Sequence, residues 1–394
     1  MAYAQSVPSH GNTLDGAAVV ATVKRVAEWQ LAHPVSRDPR HWSLAPLYDG
    51  MIDASLVTGD PLYLAAVVHE GLHIGFELGS RTYHADGHAA GHAWLRLYLM
   101  DPQAGLVCLS PFIERFDKIV NMPIVQDLSF RDQPPLGLRR TDRWTWADAL
   151  YMSPPTMSLL AQATGDDRYL GFIDKEFSFA YNNLFDPAEQ LFYRDETYIG
   201  QTTPNGQKVF WARGNAWVYA GLALLLSSMR PDYPTRLFYL SLFHQMSLAL
   251  LVAQQPDGLW YMSLKDPAHV PLGETSSSAL FLAGMAWGVR EGVLDAATYW
   301  PAVERGWNAI LTRIDEDGAV SFVQPFGEAP VNFDPKSRET YGTGAVLMAG
   351  AEIARTLSAT AQVEPAALLE RAERLAPRAP LLSDECESND CDTD

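Results

Sequence analysis

Three polar, aromatic segments, each running into an apolar stretch, carry the residues best suited to chemistry. The first is TDRWTWADALYMSPP (141–155), where Asp148 follows Trp144 and Trp146 and opens a helix. A carboxyl held against aromatic rings is desolvated, so it keeps its proton to higher pH and can donate it near neutrality. Read without that role, Asp148 is an N-cap flanked by two core tryptophans. The second is VFWARGNAWVYAGLALLL (209–226), with Trp211, Arg213, Asn215 and Trp217 just ahead of an apolar run. That alternation suits a sugar site, where rings stack on Trp, hydroxyls bond Asn and Arg pairs with a carboxylate. The third, Gly273-Glu274-Thr275-Ser276-Ser277-Ser278, is a small polar run before another apolar helix.

Histidines supply two further patterns. His84, His88 and His92 recur every fourth residue in HADGHAAGH, so on a helix they share a face. They can be read as metal ligands, as a polar helix start with Asp86 near its N-terminus, or as the lining of a cleft that faces a polar ligand. His69-Glu70-Gly71-Leu72-His73 matches H-E-x-x-H, which on a helix sets two zinc ligands one turn apart beside a glutamate base. It lacks the downstream His of the longer metzincin motif, and it falls on the second helix of a hairpin where both His can be ordinary helix residues.

Composition narrows the function classes. The 394 residues are 47% hydrophobic, which excludes a disordered chain. A formal net charge of -18 argues against a general nucleic-acid binder, which needs a basic patch to displace counterions. No stretch reaches the roughly 18 apolar residues of a membrane span; GLALLLSSM ends at Arg230. Three cysteines are too few for a disulfide scaffold: Cys108 reads as a buried small hydrophobe, while Cys386 and Cys391 sit in the acidic end SDECESNDCDTD. That end, from residue 379, is expected to be a disordered tail, and residues 1–14 a flexible N-terminus. Ala2-Tyr3-Ala4 is an A-x-A pattern that a removed signal peptide would leave, pointing to a periplasmic or extracellular protein, with the cytoplasm as the alternative.

The elements that must position these residues come from internal repetition. Thr58-Gly59-Asp60 and Thr164-Gly165-Asp166 each separate two helical stretches, with Gly as C-cap and Asp as N-cap chemistry. FDPAEQLFYRD (185–195), QPDGLWYMS (255–263) and DEDGAVSFVQP (315–325) are each a tight turn followed by a short β-like run, which predicts small hairpins at helix ends. Asp186, Asp257 and Asp317 are 71 and then 60 residues apart, and the two Thr-Gly-Asp turns lie 106 apart. A module of that size fits about six times into the chain. Six helical hairpins closed in a ring form an all-α (α/α)6 toroid, a single domain over residues 15–378; the alternative is an open helical array, whose repeats are shorter and more regular.

Taken in order, W-x-W-A-D-A-L-x-M-x-P-P (144–155), F-W-x-R-G-N-x-W (210–217), G-E-T-S-x-S-A (273–279) and E-T-Y-G-T-G-A (339–345) resemble the unsaturated glucuronyl/galacturonyl hydrolases, closest to glycoside hydrolase family 105, from about Trp42 to Leu357. The resemblance implies an (α/α)6 barrel and removal of the 4,5-unsaturated uronic acid that polysaccharide lyases leave at the non-reducing end of an oligosaccharide. It implies Asp148 as the acid/base and Asp86 as the second carboxylate. Around the acidic oligosaccharide it implies Trp146, Trp211, Arg213 and Trp217, with Arg213 opposite the uronate carboxylate and His88 a neighbour of Asp86; Trp42, His84, Trp144, Asn215, Thr275, Ser276 and Tyr341 are further candidate substrate-binding residues. No cofactor, metal, nucleic acid or membrane enters this chemistry. One departure stands out: rhamnogalacturonan-type members carry a His after the F-Y of the mid-chain hairpin, where this chain reads Phe192-Tyr193-Arg194-Asp195. The extra Arg194 could accept a more anionic substrate, such as a sulfated ulvan oligosaccharide. Two other functions stay open at this point: a zinc metalloprotease through His69, Glu70 and His73, and a non-catalytic sugar-binding toroid.

Overall fold

A computed structural model describes residues 14–122, 139–358, 360–361 and 363–376. Ala2-Tyr3-Ala4, Cys386, Cys391 and the acidic end lie outside them. Helix α1 (Gly16–Ala32) is followed by α2 (Ala45–Thr58) and α3 (Pro61–His73), then α4 (Gly91–Met100) and α5 (Ser110–Val120). The short α6 (Ala149–Met152) leads into α7 (Pro154–Thr164) and α8 (Arg168–Leu184). The pairs α9 (Ala212–Ser228)/α10 (Arg236–Ala253) and α11 (Thr275–Arg290)/α12 (Ala296–Leu311) follow, and α13 (Thr340–Thr356) and α14 (Pro365–Leu375) end the series.

The turn chemistry explains the hairpins. Gly59 takes φ 74° and gives its N–H to Ser55 O, closing α2; Asp60 then accepts from Leu62 N, with Pro61 at the first helical position of α3. Gly165 repeats this at φ 72°, and Asp166 accepts from Arg168 N as α8 begins.

Packing sorts the helices into two rings. Around the inside, α2 packs on α4, α4 on α7, α7 on α9, α9 on α11, α11 on α13, and α13 back on α2. These helices are buried almost all round: every residue of α11 from Thr275 to Val289 is buried. Outside them, α3 backs α2, α8 backs α7, α10 backs α9 and α12 backs α11, while α5 lies on α7 and α8. The first helix completes the outer ring by backing α13. A repeated contact makes that equivalence concrete. Gly258, at φ 91° in the 255–263 turn, lies so close to Arg305 O of α12 that a Cβ would stand 2.5 Å from it. Gly318, at φ 105° in the 315–325 turn, stands in the same relation to Arg25 O of α1, at 2.4 Å. The ring is therefore closed by the two ends of the chain, as a toroid requires and an open array does not.

Each outer helix returns the chain, so all six inner helices begin at one end of the ring, and the polar, aromatic segments gather there. Of the three expected hairpins, 185–195 forms a two-stranded ladder, β1 (Phe185–Asp186) with β2 (Leu191–Phe192), Phe185 opposite Phe192. The other two close as turns, Gln255 N to Leu259 O and Asp315 N to Ala319 O.

Two readings of the sequence change. Cys108 is exposed, because the chain between α4 and α5 runs over the surface. By length and hydropathy alone α10 could cross a membrane; it packs instead as an outer helix, with Tyr239, Leu242, Phe243, Met246 and Leu250 turned inward.

Candidate active site

The segment before α6 is held extended against the chain leaving β2. Trp146 bridges Asp195, and Ala147 N donates to Arg194 O at 2.7 Å. This pairing puts the Asp148 carboxyl beside the Arg194 guanidinium, with Nε 3.5 Å from Oδ2. Neither atom has a hydrogen-bond partner, nor does Trp146 Nε1, so three buried polar atoms of this corner stand unsatisfied. Burial raises the Asp148 pKa above the usual carboxylate range, against the opposing pull of Arg194. Arg194 itself lies over the Trp146 ring at 5.7 Å, and its Nη1 binds Asp195 Oδ2 at 2.6 Å and Glu328 Oε2 at 3.1 Å.

A second carboxyl enters from the 3-10 turn Ala85–His88, for which His84 is the N-cap. Burial pushes Asp86 up to about 7; Arg81, whose Nη2 is 3.2 Å from Oδ2, opposes this, while the charge of Asp148 adds to it. The His84 ring packs 5.2 Å from Trp146, and burial among the neighbouring cations pushes its pKa down to about 3, so it is neutral near pH 7. Two carboxyls that repel each other's ionisation in a buried corner can hold a proton between them near neutrality.

The facing wall is aromatic. Trp42 stacks on Tyr341 at 5.5 Å and meets Trp217 edge-on at 6.2 Å, with the half-exposed Phe326 against it at 5.2 Å. Behind them a polar hub fixes the wall. Glu274 caps α11 through Ser276 N and Ser277 N, and it also accepts from Gln324 N at 3.0 Å. Gln324 in turn receives Trp211 Nε1 on its side chain, and Arg213 Nη1 and the Tyr341 hydroxyl on its carbonyl.

The structure thus brings Asp148, Asp86, His84, Trp146 and Arg194 together, and the loop of Phe326 and Glu328 links Trp42 to them. Other expected contacts are hydrogen-bonded or packed within the protein. Arg213 is buried between Trp211 and Tyr341 and binds Gln324 O and Pro325 O through Nη1 and Nη2, bracing a loop, while its Nε has no hydrogen-bond partner and its charge reaches Asp148. Asn215 is used up on Phe192 N, Phe192 O and Trp211 O, tying β2 to α9. Thr275 donates to Ser321 O and Ser276 to Glu274. The His88 nitrogens lie 2.9 Å from Ser153 Oγ and 2.9 Å from Thr82 O. Trp144 packs on Phe172 of α8, and Trp217 and Tyr341 lie buried behind Trp42. Local spacing missed Gln324, Phe326 and Glu328, because a loop distant in sequence delivers them, and it also missed Arg81, five residues before Asp86, which no motif marked.

The H-E-x-x-H motif has a structural explanation. It lies on the outer helix α3, where His69 Nδ1 is 2.8 Å from Ala376 O just after α14. Among the described residues no group of three His, Cys, Asp or Glu is arranged to hold a metal ion.

A toroid whose inner-helix N-termini carry a coupled pair of buried carboxyls opposite an aromatic wall is the framework of a carbohydrate-active hydrolase. The chain belongs to Glycosyl Hydrolase Family 88, whose model matches residues 17–357, and it is a glycoside hydrolase. It is 36% identical over 361 residues to an unsaturated 3S-rhamnoglycuronyl hydrolase of Formosa agariphila, covering 89% of this chain and 93% of that one. A family 88 glycosyl hydrolase from Bacteroides vulgatus superposes with a TM-score of 0.78 at 26% identity, over 87% of this chain and 100% of the other. A structure described as a polysaccharide lyase gives 0.77 at 28% identity, over 88% and 99%.

Proposed function

We propose that the protein removes a 4,5-unsaturated uronic acid from the non-reducing end of lyase-generated oligosaccharides, and that the next sugar is a 3-sulfated rhamnose of the ulvan type. The observation that carries the reaction is Asp148, a buried carboxyl with raised pKa and an oxygen that lacks a hydrogen bond, whose charge reaches Asp86. In this reading Asp148 gives its proton to C4 of the C4=C5 vinyl ether, and the positive charge develops at C5 and the ring oxygen. Water adds at C5 and loses its proton to the carboxylate pair. The resulting hemiketal opens, and the C1 hemiacetal left behind releases the rest of the chain. One acid suffices because the alkene, not the glycosidic oxygen, is protonated, unlike the two-carboxylate displacement of ordinary glycosidases. The substrate half of the proposal is supported by the Formosa agariphila relative and by Arg194, a cation at the site suited to an anionic group.

The test follows the ultraviolet absorbance of the C4=C5 bond on lyase-cut ulvan and on lyase-cut rhamnogalacturonan. Loss of absorbance, faster on the sulfated substrate, is expected; faster loss on rhamnogalacturonan overturns the ulvan preference. The likeness to a chain described as a lyase motivates a second reading, β-elimination on an intact polysaccharide. That reaction would raise the absorbance on uncut polymer, so the sign of the change separates the two.

A further inference from the structure

The loop after Gln324 joins the two walls of the site. Its root is clamped: Glu274 holds Gln324 N, Arg213 holds the carbonyls of Gln324 and Pro325, and Gln324 Nε2 donates back to Ala329 O at 2.9 Å. Its tip is a different matter. Phe326 is 49% exposed and rests on the rings of Trp42 and His41. Two residues on, the Glu328 carboxylate reaches Arg194 Nη1 at 3.1 Å although its side chain is 61% exposed. The strap therefore runs from the aromatic wall to the acid corner, and it puts an exposed carboxylate on the cation next to Asp148. Besides Asp148 at its Nε, Arg194 has two carboxylate partners of unlike kind at Nη1. Asp195 is buried and also fixed by Thr197 N and Thr197 Oγ1, so it belongs to the framework. Glu328, exposed at its own end of the pair, can leave into solvent more readily than the buried Asp195.

We propose that Glu328 is an internal occupant of an anion subsite at Arg194, displaced when an acidic group of the substrate, a sulfate ester or a carboxylate, binds there. It then acts as a specificity-determining residue: a neutral group cannot compete with it for the guanidinium, whereas a strong anion can. The unsatisfied Nε of Arg194, with the unsatisfied Oδ2 of Asp148 and Nε1 of Trp146, marks the same corner as built for a ligand. This inference rests on the hydrolase reading above.

The experiment compares KM for an unsaturated uronyl–rhamnose-3-sulfate disaccharide across wild type, E328Q, E328D, R194Q and E328Q/R194Q. Removing a competitor held by a half-exposed ion pair is expected to lower KM about three- to fivefold in E328Q. E328D, which keeps the charge, is expected to stay near wild type, and the gain is expected to vanish in the R194Q background. The desulfated disaccharide identifies the displacing group: loss of the gain assigns it to the sulfate, retention to the uronate carboxylate. A KM in E328Q within about 1.5-fold of wild type, or a gain that persists without Arg194, overturns the proposal. Titration with inorganic sulfate, followed by tryptophan fluorescence, reads the same subsite without turnover. Tighter sulfate binding in E328Q but not in E328Q/R194Q supports the proposal even if no unsaturated oligosaccharide is cleaved; equal binding in wild type and E328Q refutes it.

Discussion

Asp148 and Asp86 titrate as a coupled pair, and that coupling fixes the direction of several pH effects. With Asp148 as the acid, D148N is expected to lose at least about 100-fold in kcat with an unchanged melting curve, since proton transfer is typically worth 10²–10⁴. Activity is expected to fall as pH rises above about 7, where Asp86 gives up its proton and the pair becomes doubly charged. Replacing Asp86 by Asn removes the group raised to about 7, so the D86N rate profile should lose the alkaline limb that has its midpoint there. A limb that stays in place would assign it to another group. Stability carries the same sign. Asp86 is raised from 3.8 to about 7 in the folded protein, so folded chains hold a proton that unfolded chains release, and stability declines between those pH values. D86N should flatten that decline in denaturant titrations at pH 5 and pH 8.

Helix spacing is the next constraint. The inner helices α2 and α13 approach closely enough that a Cβ on Gly344 would stand 2.2 Å from Pro46 O and 2.5 Å from Leu47 N. Backbone cannot give way as a side-chain tip can, so G344A must push the seam of the ring apart. A loss of about 1–3 kcal/mol is expected, with KM raised because Tyr341 and Trp42 sit at the same helix starts. A G344A protein as stable as wild type would mean that the two helices do not meet as described. Much of this level was legible in the sequence. Gly59 and Gly165 end helices where the repeated Thr-Gly-Asp turn placed them, and Asp186, Asp257 and Asp317 sit in turns at the expected intervals. Those signals are local: each depends on one residue's backbone freedom or one side chain's reach to a nearby N–H.

At the scale of the whole molecule, ring closure is reinforced by a ladder of ion pairs across the inner helices. Asp53 of α2 meets Arg96 of α4 and Arg355 of α13, each at 2.7 Å; Arg355 also binds Glu352, which binds Arg290 of α11. Although Asp53 is buried, its two arginines hold its pKa down to about 2. A depressed carboxylate adds stability that is present above its unfolded value of 3.8 and is lost as pH falls toward about 2. Guanidinium melts at pH 7 and pH 3 should therefore show an acid loss that D53N lacks, while at pH 7 the variant should be less stable by about 3–5 kcal/mol. Equal stability of wild type and D53N at pH 7 would remove the ladder from the account. The overall charge of -18 has no counterpart in the site, where Arg194 and Arg81 stand at the two carboxyls and the charge of Arg213 also reaches Asp148.

By itself the sequence determined the six-hairpin toroid and singled out Asp148, Asp86, His84, Trp146 and Arg194, because periodicity, caps and residue types close in the chain express those choices. Only the tertiary structure decided which polar side chains remain free. Asn215, Thr275, Ser276 and His88 sit in motifs that read like a binding site, yet each is engaged by partners brought from elsewhere in the chain or by a neighbouring cap. Whether a buried donor faces a ligand or a carbonyl depends on what the packing places opposite it, and residue type carries no record of that. The same holds for Glu328: its meeting with Arg194 across more than a hundred residues exists only because the ring closes.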